Sequence, residues 1–343
     1  MQLKKTFLFT VIILTILSCK KNDVTKVEQP EKADVYSAGV VDKGFVAEAT
    51  IWKNGEAVTL PSPTKVHSTI SAIAVNGTDV YAVGSYFAGS GPYTYVACYW
   101  KNGVFTALSA ESNYSEASGI VISGNDIYIS GKLNEHAVYW KNGNLTSLPE
   151  NGFTRSATAD LIFNGGNIYV CGTVSTNFTT QACYWKNGTL SVLSTDNSSA
   201  SDIDFNETVL YIAGSLYLKN DISGASSSRA CYWKNGNPVM LPDNNSASSY
   251  ASGINFLNND IFVVGNADAY SQQASAAFWK NGTLTRLTDG KEYSGGNEIA
   301  FLGNDVYIVG TSKAGYATIW KNSVPTQLSQ NGSSVRAIVI VKR

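Results

Sequence analysis

The chain has 343 residues, 44% of them hydrophobic and 15% charged, with a formal net charge of −1. That is ample apolar material for a large core, and a charge so close to zero points away from nucleic acid or any other polyanionic partner.

In chain order, the first expected element is an export signal over residues 1–18. Lys4 and Lys5 precede an apolar run from Phe7 to Leu17 that is too short to span a bilayer comfortably. The run ends in Ile16-Leu17-Ser18-Cys19, which resembles the lipobox of bacterial lipoproteins, with Ile16 where the family usually has Leu. The resemblance implies a lipidated Cys19 as mature N-terminus, contact with a membrane through the lipid anchor, and a place in the cell envelope at the outer membrane or cell surface. Acyl chains partition at about 0.8 kcal/mol per buried methylene, so several chains hold firmly. Residues 19–34 are polar, contain Pro30 and lack an apolar period, which predicts a flexible tether.

From residue 35 to 343 the sequence is a repeat. Every tryptophan belongs to one motif: Trp52, Trp100, Trp140, Trp185, Trp233, Trp279 and Trp320, spaced 40 to 48 residues apart, a period associated with propeller blades. Each is followed by Lys-Asn-Gly, except that Ser323 replaces the last Gly, and Asn-Gly predicts a type I′ hairpin turn. Such a turn places Trp52 opposite Ala57 and Ala49 opposite Leu60. The register transfers to every copy, with Ala three before Trp and Leu eight after it. Pro238 and Pro325 fall opposite Trp, which is tolerable only if the second strand of the hairpin is a sheet edge. Upstream of each Trp runs another expected strand closing on Gly, as in Val80 to Gly84, and before six of these lies a further short strand. The first copy lacks that strand, while Val335 to Val341 supplies one with nothing after it.

The termini therefore complement each other, and the expected fold is an all-β, closed seven-bladed β-propeller of four-stranded antiparallel blades, sealed by the C-terminal strand in the N-terminal blade. The A-x-x-W-x-x-G-x4-L pattern resembles the extracellular HAF-type repeat family. That resemblance implies fold and export, and no activity.

The repeated Trp-Lys-Asn-Gly reads as scaffold, its Lys solvated beside the turn. Cys98, Cys183 and Cys231 share the slot two before Trp and read as buried fillers; Cys171 and Cys183, on adjacent strands of one blade, are the pair that could bridge. His67 and His136 fall in expected loops without a nucleophile or carboxylate motif beside them, and nucleophile-elbow, zinc-protease and phosphate-loop motifs are missing, so no catalytic residue, metal or cofactor is expected. Asp202-Ile-Asp204-Phe-Asn206 begins like a calcium loop but has Glu207 and Ala213 where Gly and Glu belong.

Aligning the inner strands puts Ala72, Gly119, Asp160, Asp202, Gly253, Glu298 and Ala337 in one slot, with Arg336 a place earlier. Asp160, Asp202, Glu298 and Arg336 are accordingly a candidate ligand site in the central channel. The second candidate is the rim of variable loops at one end, rich in Tyr86, Phe87, Tyr93, Tyr95, Tyr114, Phe153, Phe178, Tyr217, Tyr250, Tyr270 and Tyr293 among Ser, Asn and Gly. Such aromatics suit a polysaccharide or protein ligand. The sequence thus favours a monomeric, envelope-anchored binding or scaffold propeller. The alternatives are a glycan-active hydrolase or lyase and a purely structural surface protein.

Overall fold

The computed structural model describes residues 32–343 apart from 45, 65–66, 90–93, 220–225, 244–247, 271–272, 314 and 330–331. The expected export signal and Cys19 lie outside the described residues. Of the expected tether, only its last residues are described, and these are already structured: a strand begins at Ala33, and Asp34 accepts a hydrogen bond from Asn54 at 2.8 Å.

Seven four-stranded antiparallel sheets form the ring, and in six of them the strands are consecutive in the chain. The seventh takes its inner strand, Ser334–Lys342, from the C-terminus and sets it against Ala33–Asp42, followed by Ala47–Lys53 and Glu56–Thr59. Arg343 closes the seam, its amide donating to the Lys32 carbonyl at 2.8 Å and its guanidinium pairing with Asp34. We number blades by their Trp, from Trp52 in the first to Trp320 in the seventh.

The repeated heptapeptide explains itself locally. All seven Asn of the turns have φ between 48° and 52° and the Gly that follow lie at 79° to 88°, the left-handed conformations a type I′ turn requires; Ser323 is held at 68° without the freedom of glycine. Each Asn side chain also accepts from the first amides of the blade's second strand, as in Asn102 Oδ1 to Val80 N at 2.8 Å. The preceding Lys, expected to be free in solvent, is engaged: Lys53, Lys101, Lys141, Lys186, Lys234, Lys280 and Lys321 lie 5.1 to 5.7 Å from the centroid of a Tyr or Phe on the neighbouring strand. Five of them also pair with an Asp, such as Lys101 with Asp79 at 2.8 Å. The ring quadrupole and the carboxylate both attract the ammonium, so the residue is part of the turn's scaffold.

Trp and the Ala three before it are buried in every blade. The Leu eight after Trp donates its amide to that Ala carbonyl in all seven, at 2.7 to 3.0 Å, as the hairpin register requires. Pro238 and Pro325 stand opposite Trp233 and Trp320 on outermost strands, where a missing N–H costs nothing. The indole nitrogen follows a simple rule. Where the preceding blade ends Leu-Pro, the Pro carbonyl accepts from the next Trp: Pro61 from Trp100 at 2.7 Å, Pro149 from Trp185 at 2.8 Å, Pro242 from Trp279 at 2.7 Å. After three of the four Leu-Ser or Leu-Thr endings, the indoles of Trp52, Trp233 and Trp320 are buried without a partner among the described residues; Trp140, after Leu108-Ser109, is not among these.

The second strands do not close on their glycines but continue past them. Every inner strand carries a bulge opposite that glycine, skipping Ser71, Ser118, Ala159, Ser201, Ser252, Asn297 or Arg336. The bulge drives a backbone carbonyl toward the second strand, so that a Cβ on Gly172 would stand 2.0 Å from the Ala157 oxygen; only glycine fits. Blades are stitched together by serines that begin the inner strands. Ser68, Ser115, Ser156, Ser198 and Ser249 accept from the amides of Ala49, Ala97, Ala137, Ala182 and Ala230 of the blade before, at 2.7 to 3.0 Å.

Cys98, Cys171, Cys183 and Cys231 are buried free thiols. Cys171 pairs with Tyr184, and Cys183 with Gly172, so their side chains leave opposite faces of the sheet and cannot bridge.

Candidate functional site

The two turns within each blade that carry Asn-Gly or its counterpart lie at one end of the ring; inner strands begin at the other, beside the connections between second and third strands. The bulges sit near this second end. Their seven skipped residues all line one cavity of about 710 Å³, and Asp160, Asp202, Glu298 and Arg336 share it. Ser71, Ser118, Ser201, Ser252 and Asn297 make a polar collar there, joined by Tyr95 and by Glu116, which pairs with Lys132 at 3.1 Å.

Below the collar the next slot holds only small and acidic residues. Gly119 makes room for Asp160, whose Oδ1 would lie 2.3 Å from a Cβ there, and Gly253 leaves space beside Glu298. Asp202 is anchored by both oxygens, accepting from Ile203 N at 2.7 Å and, across to the next blade, from Ile254 N at 2.6 Å. Asp160 is hydrogen-bonded to Asp202, and its carboxyl is pushed well above the usual carboxylate range, first by enclosure within the ring and then by the charge of Asp202. Enclosure also raises Glu298, with Asp202 and Asp204 adding repulsion. Asp202 is itself raised by enclosure, against the pull of its backbone donors and of Asp160. Of the pair, Asp160 is the one raised by its neighbour's charge and so the one that more readily holds the proton. By accessible surface these carboxyls are only part-buried, because the cavity reaches them. The packing of protein around the channel is nevertheless what penalises their charge, and a narrow polar channel reconciles the two.

Asp204, two residues along the same strand face, belongs to this acidic stretch although the slot alignment passes over it; enclosure pushes it up to about 7. The period of two from Asp202 was the available signal. Among the described residues no group of three or more His, Cys, Asp or Glu has metal-holding geometry. The histidines lie apart from the cavity: His67 Nδ1 accepts from Ala47 N at 3.2 Å, and His136, which begins a strand, pairs with Glu150 at 2.9 Å.

The rim candidates separate on inspection. Tyr86 is 2% exposed, packs edge-on against Phe105 and donates to Glu111 at 3.1 Å; it is a core residue, not a rim contact. Tyr95 lines the channel mouth, Tyr114 donates to Glu116 at 2.6 Å under Lys132, and Tyr250 is part-buried in an inner strand. Tyr93 lies outside the described residues, and so does the side chain of Tyr270. Tyr217 is exposed, and it sits on a strand, paired with Ser228, where a loop was expected. It lines a second cavity of about 800 Å³ together with Phe178, Leu218 and Arg155, between the fourth and fifth blades. Phe178 is 90% exposed.

No protein-family model matches this sequence, and no characterised protein matches it along its sequence. Among solved structures the chain is similar to the computationally designed Ika8 protein, at 16% identity over 89% of this chain and 93% of that one, with a TM-score of 0.46. It is also similar to a putative 6-phosphogluconolactonase from Bacteroides fragilis, at 12% identity, 90% and 98% coverage and a TM-score of 0.46. A third is the β-propeller domain of the Trilobed protease from Pyrococcus furiosus, at 10% identity, 86% and 97% coverage and a TM-score of 0.48. The seven-bladed architecture rests on the strand pairing of this chain itself.

Proposed function

We propose that this chain is an envelope-anchored binding propeller that recognises a polysaccharide or protein ligand at the end where the inner strands begin. One observation carries the reading. Cavities of about 800, 710 and 310 Å³ are all lined by residues of that end, where connections vary in length and sequence. The other end is built from near-identical turns. The chain enters the ring at Lys32, beside those turns. The lipobox-like Ile16-Leu17-Ser18-Cys19 supports acylation of Cys19, export and the outer membrane or cell surface as location.

Two measurements test this. Labelling cells with an alkynyl fatty acid is expected to mark the chain and to fail on Cys19→Ala. A glycan array and an array of envelope proteins, probed with residues 20–343, are expected to return a ligand; silence on both refutes the binding reading and leaves a structural role.

A second reading, glycan cleavage in the channel mouth, is favoured by Asp160, Asp202 and Glu298 in one cavity, with the Asp160 and Glu298 carboxyls raised well above their usual range. Its difficulty is geometric. A glycosidase needs carboxyls about 5 Å or more apart, whereas Asp160 and Asp202 are in direct hydrogen bond, so Glu298 must oppose that pair across the substrate. Release of reducing sugar by the wild type, abolished in Glu298→Gln, is the outcome that would promote it.

A further inference from the structure

The cavity between the fourth and fifth blades is more finely prepared than a chance surface hollow. Phe178 stands on a tight turn whose ends are fixed: Thr176 N donates to the Thr179 carbonyl at 2.9 Å, and Thr176 Oγ1 accepts from Phe178 N at 3.2 Å and Thr179 N at 3.1 Å. A rigid turn that holds a whole phenyl ring in solvent forgoes burial that a small residue there would not need. The opposite wall carries Tyr217 and Leu218, 39% and 43% exposed, on the second strand of the fifth blade.

One residue sets the spacing of the two walls. Asn197 accepts from Thr180 N on its side chain at 2.9 Å and from Tyr217 N on its backbone carbonyl at 2.9 Å, so it ties the fourth blade's turn to the fifth blade's strand. The floor between them is of short hydroxyl and amide side chains, including Asn177, Thr179 and Thr195, and its charges balance, Arg155 against Asp196.

We infer that this groove is a subsite for a neutral polysaccharide chain, with Phe178 and Tyr217 stacking on sugar faces and the Thr and Asn groups exchanging hydrogen bonds with its hydroxyls. Rings give contact area at little entropy cost, and their faces match the C–H faces of a pyranose. Short hydroxyls and amides both donate and accept, as sugar hydroxyls do. The balance of charge selects against acidic glycans, and the fixed wall spacing removes ordering cost on binding. A volume of about 800 Å³ falls in the range of small-ligand sites and admits a few sugar units of a longer chain. The inference rests on the binding reading above and gives it a place and a ligand class.

The test is titration calorimetry of the propeller with cellohexaose, mannohexaose and maltohexaose, with hexagalacturonate as the acidic probe. One neutral probe is expected to bind, Phe178→Ala and Tyr217→Ala each to weaken it about tenfold or more, Phe178→Trp to retain it, and Val104→Ser, on a distant exposed strand edge, to leave it unchanged. Both aromatic positions are exposed, so melting temperatures should not move. Neutral-glycan binding untouched by either Ala variant would overturn the groove while leaving the binding reading in place. Binding of the acidic probe alone, or of a protein ligand alone, would overturn the ligand class. Silence toward all glycans and proteins defeats both proposals.

Discussion

Trp233 offers a sharp test of how adjacent blades are joined. Its indole N–H is buried without a partner among the described residues, whereas Trp185, one blade earlier, donates to Pro149 at 2.8 Å. The difference tracks the residue after the hairpin Leu: Pro149 follows Leu148, but Ser194 follows Leu193. Leu148 is buried and Leu193 only partly so, as if proline turns the chain inward and brings its carbonyl to the next blade. Ser194→Pro is therefore expected to hand Trp233 a partner. An unsatisfied buried donor costs about 1–3 kcal/mol, and proline at a compatible site adds about 0.4–1 kcal/mol by restricting the unfolded chain. Against this stands the exposed hydrogen bond from Asp196 N to Ser194 Oγ at 3.1 Å, which is lost and is worth about 0.5–1 kcal/mol. The net gain is about 0.4–3.5 kcal/mol. Urea unfolding monitored by tryptophan fluorescence should show a higher midpoint at unchanged slope. A double-mutant cycle with Trp233→Phe should return a coupling of about 1 kcal/mol, since phenylalanine cannot use the new acceptor. A variant no more stable than wild type, or a coupling of zero, refutes the rule drawn from the Leu-Pro blades.

Ser323→Gly should raise stability by about 1 kcal/mol, because the last turn alone holds a side chain at φ 68°; thermal melts read this directly. Gly172→Ala should cost at least about 3 kcal/mol or prevent folding, its Cβ being driven to 2.0 Å from a carbonyl oxygen. Raised carboxyl pKa values mean that the native channel holds protons the unfolded chain has released, so stability should fall as pH rises from about 4 through 7. Asp204, pushed up to about 7, should account for about 1–3 kcal/mol of that fall after allowance for the water-accessible channel. Melts of Asp204→Asn between those pH values should be correspondingly flatter, and an unchanged slope would argue that the channel carboxyls are well hydrated. Below about pH 4 the trend reverses: Asp34, Asp79 and Asp126, all lowered by their Arg or Lys partners, become protonated and the seam and turn pairs weaken.

What the sequence made readable was whatever obeys a local rule repeated many times. Asn-Gly dictates a turn, a two-residue turn dictates the register, and the register placed Leu opposite Ala and proline on an edge, all as found. The unmatched strands at the two termini were enough to predict ring closure. Features that depend on contact between strands or between blades were not readable. The bulge has no signature of its own at Ser71 or Ala159, and its trace is the glycine it forces on the strand opposite, which in sequence resembles a strand end. The serine stitches join residues of different blades and have no fixed partner in sequence.

The rim shows a subtler failure. Residues two past the bulge-facing glycine, such as Tyr86, Val174, Leu216 and Ala267, pack between blades, whereas Tyr217, three past, is exposed. Simple alternation distinguishes Tyr86 from Tyr217, but only once the strand is known to run on beyond its glycine.

The bulged residue has a further significance. It stands outside the ladder of paired residues, and the carbonyl displacement that shapes the glycine opposite comes from the backbone alone. Seven such positions encircle one opening, and they already hold serine, alanine, asparagine and arginine on the same frame. The scaffold thus separates heritable shape from changeable chemistry, and a new specificity could be written into the opening one spoke at a time, with the wheel left as it is.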